Sequence, residues 1–226
     1  MKKLIIAIGF LWLAFLLSTE FYAAQNSTAQ KPSAGKSSDL TILLEKGEDL
    51  FLSGEYGASI QAYEGALQLD SENISALNGK ARSLNALGEY EKALLSLNRT
   101  LTLDPYNAFA WRENAWALNR MGRYEEALKC LNQSVLIEPM SAVAWEERGW
   151  ALNELDFYSR AIDNANLALL IDSQFSDAWS VKGYALESMG LSADAETAYA
   201  NARAARGEIS KAQEATGDVI GARTRI

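Results

Sequence analysis

The side chains that most often carry acid–base and metal chemistry are absent or solitary in this sequence. It has no histidine, so the commonest general base and the commonest metal ligand are missing. Cys130 is the single cysteine; it has no internal disulfide partner and reads as a small hydrophobe buried in a helix. No glycine-rich phosphate loop, paired cysteines or nucleophile elbow occurs. Adjacent acids such as Glu146 and Glu147 point to different sides of a helix and make no acid–base dyad. The expectation is therefore a protein without catalytic residues, metal or cofactor. What does recur is hydrogen-bonding and stacking chemistry. Asn85, Asn119 and Asn153 stand 34 residues apart, and Glu187 continues the series. Three residues before each stand Arg82, Trp116, Trp150 and Tyr184. An amide can both donate to and accept from the backbone of an extended peptide. Aromatic rings add contact area at small entropic cost. Solvation of the amides and packing of the rings between helices are the competing readings. Charge is uneven along the same positions. Arg82, Arg112 and Arg120 come first, then Glu146, Glu154, Asp177 and Glu187. A surface carrying both groups would orient a partner with acidic and basic ends.

The spacing of these residues belongs to a larger pattern. From Leu40 the chain repeats five times at a period of 34 residues without insertion, with copies starting at Leu40, Ile74, Ala108, Ala142 and Ser176. In the third copy, Trp111, Ala115 and Leu118 share one helix face. Gly122 suits the left-handed backbone that ends a helix. Tyr124, Ala127, Leu128, Leu131 and Val135 form a second periodic segment, which Pro139 stops. Each unit is thus a pair of antiparallel helices, with small residues where they touch. One pair cannot bury its own apolar face, so neighbours must stack on it. Trp111 and Trp116 are five residues apart, about 140° around a helix, so they cannot share one helix-pair core.

These residues resemble the tetratricopeptide repeat. Positions 4 (Trp111, Trp145, Trp179), 8 (Gly47, Ala81, Ala115, Gly149, Gly183), 20 (Ala93, Ala127, Ala161, Ala195) and 32 (Pro105, Pro139) match its pattern. Position 7 departs from it: Lys46, Lys80, Asn114, Arg148 and Lys182 stand where leucine is usual, and position 11 carries leucine for tyrosine. The resemblance implies an all-α fold, a right-handed superhelical solenoid of five 34-residue helix-turn-helix repeats. Its concave groove would be lined by the first helix of each repeat. It makes Arg82, Asn85, Arg112, Trp116, Asn119, Arg120, Glu146, Trp150, Asn153, Tyr184 and Glu187 the candidate partner-binding residues. The residues with which some members clamp a C-terminal carboxylate are not matched: Leu44, Glu48, Gly79, Phe109 and Glu113 stand in the first such window.

Outside the repeats (40–73, 74–107, 108–141, 142–175, 176–209) the composition changes. Lys2 and Lys3 precede an apolar run from Leu4 to Leu17, an export signal in residues 1–24 that is either cleaved or kept as an anchor. Residues 25–39 read as a polar, disordered linker, and 210–226 as a capping extension with a frayed tail. A net charge of −8 argues against nucleic acid. The expected function is an exported scaffold that binds an extended or helical segment of a partner protein in its groove. Two alternatives are a self-assembling module of the cell envelope and a receptor for a small or sugar-like ligand on the groove aromatics. The sequons at Asn26, Asn73, Asn98 and Asn132 leave glycosylation open.

Overall fold

The computed structural model describes the backbone of residues 34–223 and side chains over 37–207; the proposed export segment lies outside this range. Two compact units divide at Ile42 and Leu43. The described residues form ten helices and no strand. They are α1 (Ala34–Leu52), α2 (Tyr56–Leu69), α3 (Ile74–Ala86), α4 (Tyr90–Leu103), α5 (Ala108–Arg120), α6 (Tyr124–Ile137), α7 (Ala142–Glu154), α8 (Tyr158–Ile171), α9 (Ser176–Ser188) and α10 (Ser192–Arg223). α1 starts at Ala34, inside the stretch whose composition reads as linker, just after helix-excluding Pro32. α10 continues through Gly207 without a break.

Local chemistry sets the helix ends. Asn73, Asn107 and Ser141 each accept a hydrogen bond from the backbone N–H three residues on, which satisfies one open donor at the start of α3, α5 and α7. The first helix of each pair stops at a left-handed residue: Gly54, Gly88, Gly122 and Gly190, with φ between 73° and 82°, and Asp156 with φ 62°. There the N–H of Arg123 reaches Leu118 O and that of Gly122 reaches Asn119 O. This double closure recurs in every repeat and turns the chain back in three residues.

Successive helices pack on one another from α2 to α10. The backbones of α3, α5 and α7 also come close to the first helix of the next repeat, whereas those of successive second helices do not among the described residues. The first helices therefore form the inner layer of the stack and the second helices the outer. The core lies between the layers. Ala93, Ala127 and Ala161 are fully buried, and Leu84, Leu118, Leu152 and Leu186 pack beside them. Each cluster draws on more than one repeat: Leu118, Leu131 and Val135 close with Ala144 and Trp145 of the following one. Where a large side chain enters, a glycine faces it. Tyr63 is wedged between Gly47 and Gly79, and Tyr199 lies against Gly183. The polar residues at position 7 link neighbours. Lys80 pairs with Glu64 at 2.7 Å, Asn114 donates to Asn98, and Lys182 donates to Asn166 at 2.8 Å; Arg148 turns instead to Asn164 in its own repeat. A leucine there would bury more area but would lose these contacts.

Candidate functional site

The inner layer carries a chain of cavities. One, of about 320 Å3, lies between Glu48, Tyr63, Asn78, Arg82 and Phe109. A second, of about 270 Å3, shares Arg82 and is bounded by Phe51, Asn85, Arg112, Glu113, Trp116 and Glu147. The third, of about 460 Å3, shares Trp116 and Glu147 and adds Asn119, Arg120, Val143, Glu146, Trp150, Phe175 and Asp177. Shared walls make the three one track along α1, α3, α5, α7 and the start of α9.

The three aromatic candidates take different places. Trp116 and Trp150 line the track, each set edge-on against a tyrosine of the preceding outer helix, Tyr90 at 5.8 Å and Tyr124 at 5.7 Å between ring centroids. The tryptophans at position 4 do something else. Trp111, Trp145 and Trp179 each donate from Nε1 to the carbonyl six residues back, at 2.8–3.0 Å, and pin the loop between repeats. Tyr184 is exposed on α9 but does not border the third cavity.

The asparagines are turned inward. Asn85, Asn119 and Asn153 are all at most 4% exposed. Asn85 Nδ2 donates to the Glu113 carbonyl at 3.3 Å, and Asn153 Nδ2 donates to the Val181 carbonyl at 2.9 Å. Two rungs of the amide ladder, Asn85 and Asn153, are thus bonded to this protein's own backbone, one repeat to the next, while Asn119 borders the third cavity. Burial also sets the geometry that spacing alone left open: position 12 faces the neighbouring inner helix. The enclosed Oδ1 atoms of all three lack partners.

The charged candidates divide into neutralised and free. Arg82 is paired with Glu48, and its guanidinium lies 3.9 Å from the Phe51 ring centroid. That ion-paired hydrogen bond holds the Glu48 carboxyl below the usual carboxylate range. Burial, then the Glu48 charge, pushes the Tyr63 phenol up to about 12. Arg112 pairs with Glu113 at 3.3 Å. Arg120 makes no ion pair among the described residues; its guanidinium sits 5.1 Å from the Trp116 ring and 5.7 Å from the Trp150 ring. On the acidic side, Asp177 reaches Arg206 at 3.3 Å, and Glu187 accepts from Tyr199 at 2.9 Å. Glu146 and Glu147 have no cation within ion-pair distance among the described residues. Burial, then the charge of Asp177, raises Glu146 to about 7. Enclosure raises Glu147 well above its ordinary value, and its Oε2 has no hydrogen-bond partner. The expected two-signed surface is therefore muted at its basic end and unmatched at its acidic end.

Glu147 is the residue that the spacing missed. It neighbours Glu146 on a different side of α7, yet both reach the third cavity, and Glu147 forms the wall between two cavities. Its position is at the seam between inner helices, which a helical wheel of α7 alone does not contain.

A stack of helix pairs with an inner track of cavities defines a helical-repeat solenoid. Two tetratricopeptide-repeat family models match, over residues 44–108 and 86–146. Residues 44–146 carry tetratricopeptide repeats, a repeat-scaffold fold. No curated protein matches the chain. Among solved structures it is similar to MamA, with 22% identity and a TM-score of 0.63 over 77% of this chain and 96% of that one. MamA 41-end from Desulfovibrio magneticus RS-1 has 16% identity and a TM-score of 0.66, over 75% and 96%. A thermophilic TPR protein of Thermus thermophilus has 22% identity and a TM-score of 0.64, over 77% and 98%. At these identities the likeness is one of fold. Among the described residues, no three His, Cys, Asp or Glu side chains gather closely enough to hold a metal ion, and no helix is long and apolar enough to cross a membrane.

Proposed function

We propose that this protein is an exported scaffold whose inner track binds an extended or helical segment of a partner protein. The observation that carries the reading is the continuity of three cavities through shared walls at Arg82, Trp116 and Glu147. A track crossing several repeats suits a peptide segment, while a small ligand needs one enclosed pocket. Trp116 and Trp150 offer the rigid aromatic area that anchors such segments. Export rests on the basic and apolar start of the chain, Lys2, Lys3 and Leu4 to Leu17.

Peptides selected from a displayed random library against the purified chain test the binding. The selected peptides should crosslink to a photoreactive residue in place of exposed Tyr184 on the inner layer and not to one at Leu170 on the outer. Trp150→Ala should weaken them by about tenfold or more, the loss typical of an anchoring aromatic. Crosslinking at Leu170 with unchanged affinity in Trp150→Ala would discard the groove. Crosslinks that join two copies of the chain would favour self-assembly instead.

A further inference from the structure

We propose that the cavity of about 460 Å3 between the third and fifth repeats is a receptor for a lysine or arginine side chain of the bound segment, with Glu147 as its anchoring carboxylate. The proposal rests on the groove reading above and adds the chemistry of what the groove takes. Three observations support it. First, Glu147 presents an enclosed carboxyl whose Oε2 lacks any hydrogen-bond partner. A buried polar group without a partner is costly and rare, and a cationic donor is what an acid at that position lacks. Second, no nearby cation pairs with Glu147: Arg112 is held by Glu113, Arg206 by Asp177, and Arg120 lies over two tryptophan rings, outside ion-pair distance of both acids. Third, that placement of Arg120 demonstrates that the Trp116 and Trp150 faces tolerate a guanidinium within cation–π range. A second cation between the rings and the acids would meet both kinds of partner.

The shape selects among cations. At about 460 Å3 the cavity is far roomier than a metal site, and its acids are not gathered as metal ligands. Glu147 lies beneath the track between two cavities, so a cation must arrive on a stem. The apolar stems of lysine and arginine can lie along the tryptophans while the charged head descends. The net charge of −8 favours approach of a basic segment.

Protonation couples to this binding. The charged and titratable groups facing Glu147 are Arg112, Glu113 and Arg120 from α5 and Glu146 from α7; Asp177 from α9 faces Glu146. With the cavity empty, burial favours the neutral acids. A cation stabilises the carboxylates, so its arrival expels protons to solvent, and affinity rises as pH rises through about 7, where Glu146 titrates.

The test uses capped Ala-Ala-Xaa-Ala-Ala peptides in which Xaa is arginine, lysine or citrulline, the last an uncharged near-isostere of arginine. The indole N–H resonances of Trp116 and Trp150 report binding. The arginine and lysine peptides should shift both resonances and bind about tenfold or more tightly than the citrulline peptide. Their affinity should rise between pH 6 and pH 8. Glu147→Gln should bring arginine and citrulline level, and Glu146→Gln should reduce the pH dependence without removing it. Glu125→Gln, on the exposed first turn of α6, should change neither. Equal affinity for arginine and citrulline in the wild type would overturn the proposal, as would an unchanged preference in Glu147→Gln. Spermidine binding as tightly as the peptides would assign the cavity to free polyamines and overturn the peptide source. If library-selected peptides lacking basic residues bind the track while the arginine peptide fails, the receptor falls and the groove stands. If neither binds, both fall.

Discussion

Lowering the pH from about 8 to about 5 should stabilise the last three repeats, and Glu146→Gln should remove part of that gain. Glu146 titrates near 7 in the folded chain, against 4.5 for an ordinary glutamate. Between those values the folded state binds more protons than the unfolded state, so stability falls as pH rises. A difference of roughly 2.5 units at about 1.36 kcal/mol each sets an upper limit of about 3.4 kcal/mol. Partial exposure of the side chain and relaxation of the site reduce this, and about 1–2 kcal/mol is the expected observable. Glu147 adds in the same direction, because its folded value is also raised. Glu48 and Glu126 are shifted the other way, and their contribution is lost only as pH falls through their lowered values, below the window. Urea unfolding followed by tryptophan fluorescence and by helical circular dichroism at the two pH values measures the effect. Wild type should have the higher midpoint at the acid end with an unchanged slope; Glu146→Gln should show a smaller difference and exceed wild type at about pH 8. A wild-type midpoint that is flat or lower at acid pH would refute the burial argument for both acids.

Three further outcomes follow from the packing. Asp156 holds φ at 62° where the other repeats have glycine, so Asp156→Gly should raise stability by about 0.5–1 kcal/mol in thermal unfolding. Gly79→Ala would place a methyl 2.2 Å from the Tyr63 ring, so it should destabilise by about 1–3 kcal/mol, and Tyr63→Leu in the same chain should recover part of the loss. Burial, then the Glu126 charge, pushes the Cys130 thiol up to about 11, so at pH 8 iodoacetamide should label it slowly until denaturant unfolds the chain. Rapid labelling of the folded protein would contradict its packing beside Leu131 and Ala144.

The repeat length and the small residues at positions 8 and 20 made the helix pairs readable, because close helix approach tolerates few side chains there. The separate duties of Trp111 and Trp116 were also readable, since their angular separation excludes a shared face. Asn85 and Asn153 were legible as a series but not in direction. Spacing gives the same helix face for an amide pointing into a groove and for one bonded to the next helix, and the choice depends on distances between repeats. Glu147 was illegible for the same reason: its enclosure comes from α5 and α7 together. Position 7 shows a polar substitution turning into structure. Lys80, Asn114 and Lys182 look like surface residues in one repeat and become links once the preceding outer helix is in place.

Among the described residues, successive inner helices approach through their backbones, whereas successive outer helices meet only through shared side-chain clusters, such as Ile60 with Ala93 and Leu97 and Leu94 with Ala127 and Leu131. Side chains shift more readily than a close backbone approach, so the solenoid yields first on its outer side. The width of its trough can then follow the girth of whatever lies within, and a thin strand and a thicker coil of chain can both be gripped by the same row of side chains.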